Sequence, residues 1–254
     1  MQINFNIQLT ESVKRVNLYL TKSVNTKYLG VIIISYESFE NLEESKKQKI
    51  INAGFQVFAE HGYAKASVDE IVKAADISKG SLFYYFESKK NFYLYLYNYC
   101  GEQMERLIDH PGEDGKPGYM QYTDFFERLN RIQELKTKHS ADYPHMSNFM
   151  RKVLLDSSPA IRGEISKVNA KYIKERAMAF YQGLDYSKFK DGIDPLMVVQ
   201  LLTWISEGCA NAVVMKYKLT GDSNRNETDF NEILVMYRAY VDMLRKNFYK
   251  EEYL

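Results

Sequence analysis

Ser78, Lys79, Gly80 and Ser81 have the residue types of a phosphate contact. Ser78 is placed to cap a helix, which puts Lys79, Gly80 and Ser81 in its first turn. A first turn offers free backbone N–H groups and the positive end of the helix dipole, and both favour a phosphate. Gly80 has no side chain to hold the backbone away from a ligand. Leu82 and Phe86 lie four apart and would anchor this helix on a core. That leaves Phe83, Tyr84 and Tyr85 for contacts outside the fold. Ser88 can cap the next helix, with Lys89 and Lys90 in its first turn.

A helix this short needs others to hold it. Ser67 stands three residues before Glu70, the spacing of a capping box. Its oxygen would accept from the Glu70 amide while the Glu70 side chain reaches back. Val68, Ile71 and Ala75 face inward on this helix, and Asp76 can end it, because Asp tolerates turn conformations. Two short helices joined by an abrupt turn are the form of a helix-turn-helix reader of duplex DNA. Upstream, Ile50, Ala53, Gly54, Val57 and Phe58 repeat at helical spacing and predict a supporting helix that ends at Gly62. Between Ser45 and Leu94 eight lysines stand against five acids, a local net of +3 in a chain that is only +1 overall. This is a modest electrostatic footprint that a dimer would double.

The run Ile50-x-x-Ala53-Gly54-x-x-Val57-Phe58-x-x-x-Gly62, followed by Ser67-Val68-x-x-Ile71-Val72-x-x-Ala75-x-Ile77-Ser78-x-Gly80-x-Leu82-Phe83-x-Tyr85-Phe86-x-Ser88-Lys89, resembles the TetR family of bacterial transcriptional repressors. Many positions match in register, unlike a lone short motif. The resemblance implies phosphate contacts at Ser67, Lys79, Tyr84, Tyr85 and Lys89. It implies base-proximal positions at Ser78, Lys79, Gly80, Ser81 and Phe83. The chain departs from the family at Asp76, Phe83, Tyr85 and Lys90, which usually hold Gly, Tyr, often His, and an acid. Phe83 replaces a hydroxyl with an apolar edge suited to a thymine methyl. The resemblance further implies a homodimer on a pseudo-palindromic operator, released by a small-molecule effector that binds between central helices.

The rest of the chain reads as helix throughout, so the expected fold is all-α. Residues 45–91 would form the DNA-binding domain and 92–254 a ligand-binding and dimerisation domain. Residues 1–44, with the strand-like run Val31-Ile32-Ile33-Ile34, are expected to be an N-terminal extension, either accessory, poorly ordered or a misassigned start. Six further helices are predicted, over about 88–109, 119–138, 142–156, 158–183, 194–219 and 228–249. Pro159 and Pro195 sit in first turns after Ser158 and Asp194. The last two helices are apolar on more than one face: Met197, Leu201, Trp204, Ile205, Cys209, Val213 and Val214 nearly encircle the first of them. Such a surface suits pairing across a two-fold axis.

With 21 Tyr and 14 Phe, the chain has aromatics enough to line an apolar cavity. Tyr97, Tyr122, Phe125, Phe126, Phe149, Phe180 and Trp204 are the candidates, although aromatics at this spacing serve a core equally well. A protein partner in place of the small effector is the alternative. Two cysteines, Cys100 and Cys209, fit core packing in a reducing cytoplasm. No cofactor is expected. No metal site is expected either, since the four histidines are scattered and only His139 and His145 lie near each other, with Asp142 between them. No Ser/His/Asp or Cys/His arrangement suggests catalysis, and Ser78-Lys79-Gly80-Ser81 lacks the glycine-rich lead of a P-loop. No leader or membrane span is read.

Overall fold

The computed structural model describes residues Tyr36–Leu254 except 112–114, 116, 156, 157 and 221–227. The run Val31-Ile32-Ile33-Ile34 and most of the proposed extension lie outside the described residues. Ten α-helices occur among the described residues: α1 (Glu37–Glu40), α2 (Glu44–Lys65), α3 (Val68–Ala75), α4 (Lys79–Phe86), α5 (Lys89–Ile108), α6 (Phe125–Asp142), α7 (Pro144–Leu155), α8 (Pro159–Tyr181), α9 (Pro195–Thr220) and α10 (Thr228–Phe248). The fold is all-α, with isolated bridges and no strand among these residues.

Most helix ends follow local rules. Gly62 has φ 71° and ψ 173°, open in practice only to glycine, so α2 breaks there and one further turn carries it to Lys65. Asp76 ends α3 in the left-handed region. The segment expected as a helix from 119 begins instead at Phe125. Residues Gly118–Gln121 form a single 3-10 turn, and Asp124 caps α6 by accepting from the Glu127 amide at 2.9 Å.

Two cores organise the chain. The first joins α1–α5 to α7 and the start of α8 around Phe58, Phe86, Phe92 and Phe149. Its N-terminal part comes from the stretch read as an extension. Phe39 is fully buried, with ring centroids 4.7 Å from Phe86 and 5.2 Å from Tyr95. The second core joins α6, α9, α10 and the C-terminal tail around Phe125, Phe126, Phe189 and Tyr249. Here Arg128 is fully buried. It donates to the carbonyls of Tyr122, Phe180 and Gln182 at 2.6–2.8 Å and of Met120 at 3.2 Å. Its positive charge sits at the C-terminus of α8, where the dipole favours it, and satisfies carbonyls that the helix leaves open. Nearby, burial raises the Asp124 carboxyl, but the Lys188 ammonium at 2.8 Å and the Glu127 amide outweigh it and hold the pKa below the usual value.

The helix α2 can lie against α5 because residue 54 is glycine. A Cβ built there would stand 2.6 Å from Phe92 Cζ and 2.7 Å from Leu96 Cδ1, both fully buried side chains. Gly54→Ala is therefore expected to lower stability by about 1–3 kcal/mol through overpacking. Urea denaturation followed by circular dichroism measures this, and a midpoint equal to wild type would contradict the close approach.

Candidate nucleic-acid interface

The unit α3–turn–α4 is held by three serine caps. Ser78 Oγ accepts from the Ser81 amide at 3.0 Å and shares a 2.8 Å hydrogen bond with the Ser81 hydroxyl. Ser88 Oγ accepts from the Asn91 amide at 3.1 Å. Ser67 caps α3 as expected but accepts from the Asp69 amide, at 3.2 Å, rather than from that of Glu70. The Glu70 carboxylate lies 3.6 Å from His61 Nε2 on α2, so it braces the supporting helix instead of closing a capping box.

Leu82 and Phe86 bury the inner face of α4. The remaining side chains sort by what they touch. None of the nine positions predicted for DNA is buried. Tyr84 is 72% exposed, and its hydroxyl accepts from Ser38 Oγ at 3.4 Å. Phe83 is exposed on the same short helix. Tyr85 is half-buried against Phe39, with ring centroids at 5.8 Å, so part of its surface serves the fold. An added Cβ at Gly80 would meet only Ser78 Oγ, at the ordinary distance of 3.7 Å. Nothing inside the protein requires glycine there, and its bareness faces outward.

The lysines divide in the same way. Lys79 pairs with Asp69 at 3.0 Å, an exposed ion pair that contributes roughly 0–1 kcal/mol and yields readily to a phosphate. Lys89 is turned toward the protein. Its ammonium donates to the carbonyls of Ala66 and Ala64 at 3.0 and 3.4 Å and lies 4.9 Å from the centre of the Tyr63 ring. It ties the end of α2 to the start of α5. Asp76, which brings a negative charge to the turn, is paired with Lys49 at 3.0 Å.

Ser38 and Phe39 are the residues that sequence reasoning did not assign to this unit. The apolar spacing Tyr36, Phe39, Leu42 was the available signal, set in a stretch otherwise rich in polar residues.

The aromatic candidates for a ligand fall into different places. Tyr97 is buried in the first core, and its hydroxyl donates to Asn169 Oδ1 at 2.5 Å. Phe149 packs on Phe55, Phe58 and Tyr93 in the same core. Phe125, Phe126 and Phe180 belong to the second core. Tyr122 is half-buried and gives its carbonyl to Arg128, while Trp204 is 59% exposed on α9. The structure therefore does not bring the seven together.

Residues 50–96 match the family model described as bacterial regulatory proteins, tetR family. Over 161 residues the chain is 29% identical to the biofilm operon icaADBC HTH-type negative transcriptional regulator IcaR of Staphylococcus aureus, a match spanning 62% of this chain and 81% of that protein. Among solved structures it is similar to a TetR family transcriptional regulator from Chloroflexus aurantiacus J-10-FL. The TM-score is 0.54 at 22% identity, over 85% of this chain and 98% of that one. It is also similar to the transcriptional regulator FadR from Bacillus subtilis in complex with stearoyl-CoA, with a TM-score of 0.51 at 18% identity over 78% and 96% of the two chains.

The open surroundings of Gly80 separate folding from recognition. Gly80→Ala should leave thermal stability unchanged or raise it by up to ~1 kcal/mol, from helix propensity. It should also weaken binding to cognate duplex DNA by about 1–3 kcal/mol, because the backbone can no longer approach. Calorimetric melting and fluorescence anisotropy on the same sample read both, and a loss of stability instead would show that Gly80 serves the fold.

Proposed function

We propose that this TetR-family transcriptional regulator is a homodimeric repressor that leaves its operator when a small effector binds. The observation that carries the reading is the outer face of α4. Phe83 and Tyr84 are exposed there and a Cβ on Gly80 would meet only Ser78 Oγ, while Leu82 and Phe86 are buried beneath the helix. Rigid placement of exposed recognition groups is what base readout needs. On this reading Tyr84, Tyr85, Ser67 and Lys79 position the backbone of the duplex. Ser78, Gly80, Ser81 and Phe83 face base edges. Lys89 acts mainly by fixing the start of α5, and its contact with phosphate would require it to leave the carbonyls of Ala64 and Ala66.

A single α3–α4 unit reads one half-site. The partner copy is expected on α9 and α10. Met197, Trp204 and Met215 on α9 and Val235, Tyr240 and Met243 on α10 are exposed large apolar residues. The segment Pro195–Val213 is apolar enough to cross a membrane by length and composition, and 22% of it is buried. Its face also carries Gln200, Ser206, Glu207 and Asn211, which suits a protein interface with a polar rim better than lipid. Repression is favoured by the similarity to IcaR, described as a negative regulator. An effector is favoured by the FadR structure, which holds stearoyl-CoA. The reading places the protein's work in the cytoplasm, with operator DNA. A second reading replaces the small effector with a protein partner. It is favoured by the tight packing of Phe125, Phe126 and Phe149, each at most 1% exposed.

Binding to the duplex upstream of the protein's own gene, followed by anisotropy across a salt series, tests the reading. Two chains per site are expected, with log K falling linearly in log salt as phosphate counterions are released. Trp204→Glu should convert the dimer to monomer in analytical ultracentrifugation and weaken operator binding. The loss expected for a central interface aromatic is more than about 2 kcal/mol. A Trp204→Glu protein that stays dimeric and binds like wild type would refute the assigned interface.

A further inference from the structure

Residues 50–96 carry the family match, so α1 lies outside it. A helix of one turn has no stability of its own, and tertiary contacts set its place. Phe39 is fully buried, with ring centroids 4.7 Å from Phe86 and 5.8 Å from Tyr85. The Tyr36 ring lies 5.6 Å from that of Phe86, and the Tyr36 hydroxyl donates to the Asn91 carbonyl at 3.5 Å. At the other end of the turn the Glu40 carboxylate accepts from the Tyr95 hydroxyl at 2.8 Å. The turn is thus pinned on both α4 and α5, and it carries Ser38 on its exposed side.

Among the described residues the Tyr84 hydroxyl has one hydrogen-bond partner, Ser38 Oγ, which donates to it at 3.4 Å. The direction of that bond matters. A tyrosine hydroxyl has a single hydrogen to give. A phosphodiester oxygen only accepts, so Tyr84 can hold one only by donating that hydrogen. A carboxylate or carbonyl neighbour would take the hydrogen for itself. Ser38 supplies a hydrogen instead, which leaves that of Tyr84 for an outside acceptor and polarises it. The same bond limits the swing of a side chain that is 72% exposed. α1 itself reads Glu-Ser-Phe-Glu and offers a phosphate no cation.

We propose that Ser38 is a positioning residue for operator binding: it orients the Tyr84 hydroxyl so that its hydrogen is presented to a backbone phosphate, and it does not touch the DNA itself. This rests on the reading of Tyr84 as a phosphate contact. The DNA-reading unit then begins one helical turn upstream of the residues that match the family, and Ser38 matters only through Tyr84.

Fluorescence anisotropy on the duplex that the wild-type chain selects from a random pool compares Ser38→Ala, Ser38→Thr, Tyr84→Phe and the double variant Ser38→Ala with Tyr84→Phe. Ser38→Ala is expected to bind about fivefold more weakly, the loss of one neutral hydrogen bond, and Tyr84→Phe about tenfold or more, the loss of one to a charged group. Ser38→Thr keeps the hydroxyl and should bind within about twofold of wild type. The double variant should bind no more weakly than Tyr84→Phe alone, since without the phenol Ser38 has nothing to orient. Both side chains are exposed, so melting temperatures should match wild type. Wild-type affinity in Ser38→Ala or in Tyr84→Phe, or Ser38→Thr as weak as Ser38→Ala, would overturn the proposal. So would a double variant that loses the full Ser38→Ala effect on top of Tyr84→Phe, because Ser38 would then act through the fold or on DNA directly. A wild-type chain that selects no duplex would overturn the DNA-binding reading itself, and the proposal with it.

Discussion

The fold's capacity to read DNA rests on the aromatic contacts beneath Phe86. An isolated helix of eight residues has no stability of its own in water, so α4 exists only where tertiary contacts hold it. Phe86 supplies them. Its ring lies 4.5 Å from Phe92, 4.7 Å from Phe39 and 5.2 Å from Tyr95, centroid to centroid. Through these rings the recognition helix is tied at once to α1 and α5. Each such aromatic pair adds roughly 0.5–1.5 kcal/mol beyond the area it buries. The result is a helix rigid on its inner face and bare on its outer one.

The same tie sets how a signal could reach the DNA. α5 carries Phe92 and Tyr95 into the cluster beneath α4, while Cys100 and Tyr97 on the same helix continue the first core toward α8. A displacement of α5 is thus felt at Phe86 without any flexible segment between. The second core, in which Arg128 holds four carbonyls together, lies within the same compact unit and forms the packed base of α9 and α10.

Much of this was legible in the sequence because its causes are local. Ser67, Ser78 and Ser88 precede their helices as caps must, Asp76 and Gly62 occupy the positive-φ ends, and Leu82 and Phe86 carry the inward spacing. The helix order after Ser88 was legible for the same reason, through Pro159, Pro195 and their capping neighbours. What was not legible depends on partners distant in the chain. Arg128 meets Phe180, which is 52 residues away, and its partners are backbone carbonyls that any sequence possesses. Lys89 reads as a phosphate ligand by position, yet the carbonyls of Ala64 and Ala66 hold it. Phe39 sits in a polar stretch whose periodicity covers barely one turn. Five of the seven aromatics set aside for a ligand were divided by tertiary packing between two cores, with Tyr122 and Trp204 in neither, a division that spacing alone does not encode.

The central claim is that two copies of the α4 face read successive turns of one duplex. Selection of bound sequences from a random duplex pool, with the wild-type chain, tests it most directly. The account predicts enrichment of an inverted repeat whose half-site centres lie about one helical turn apart, roughly 10 base pairs, or a multiple of that spacing. Enrichment of a lone half-site, or of no sequence at all, would contradict it.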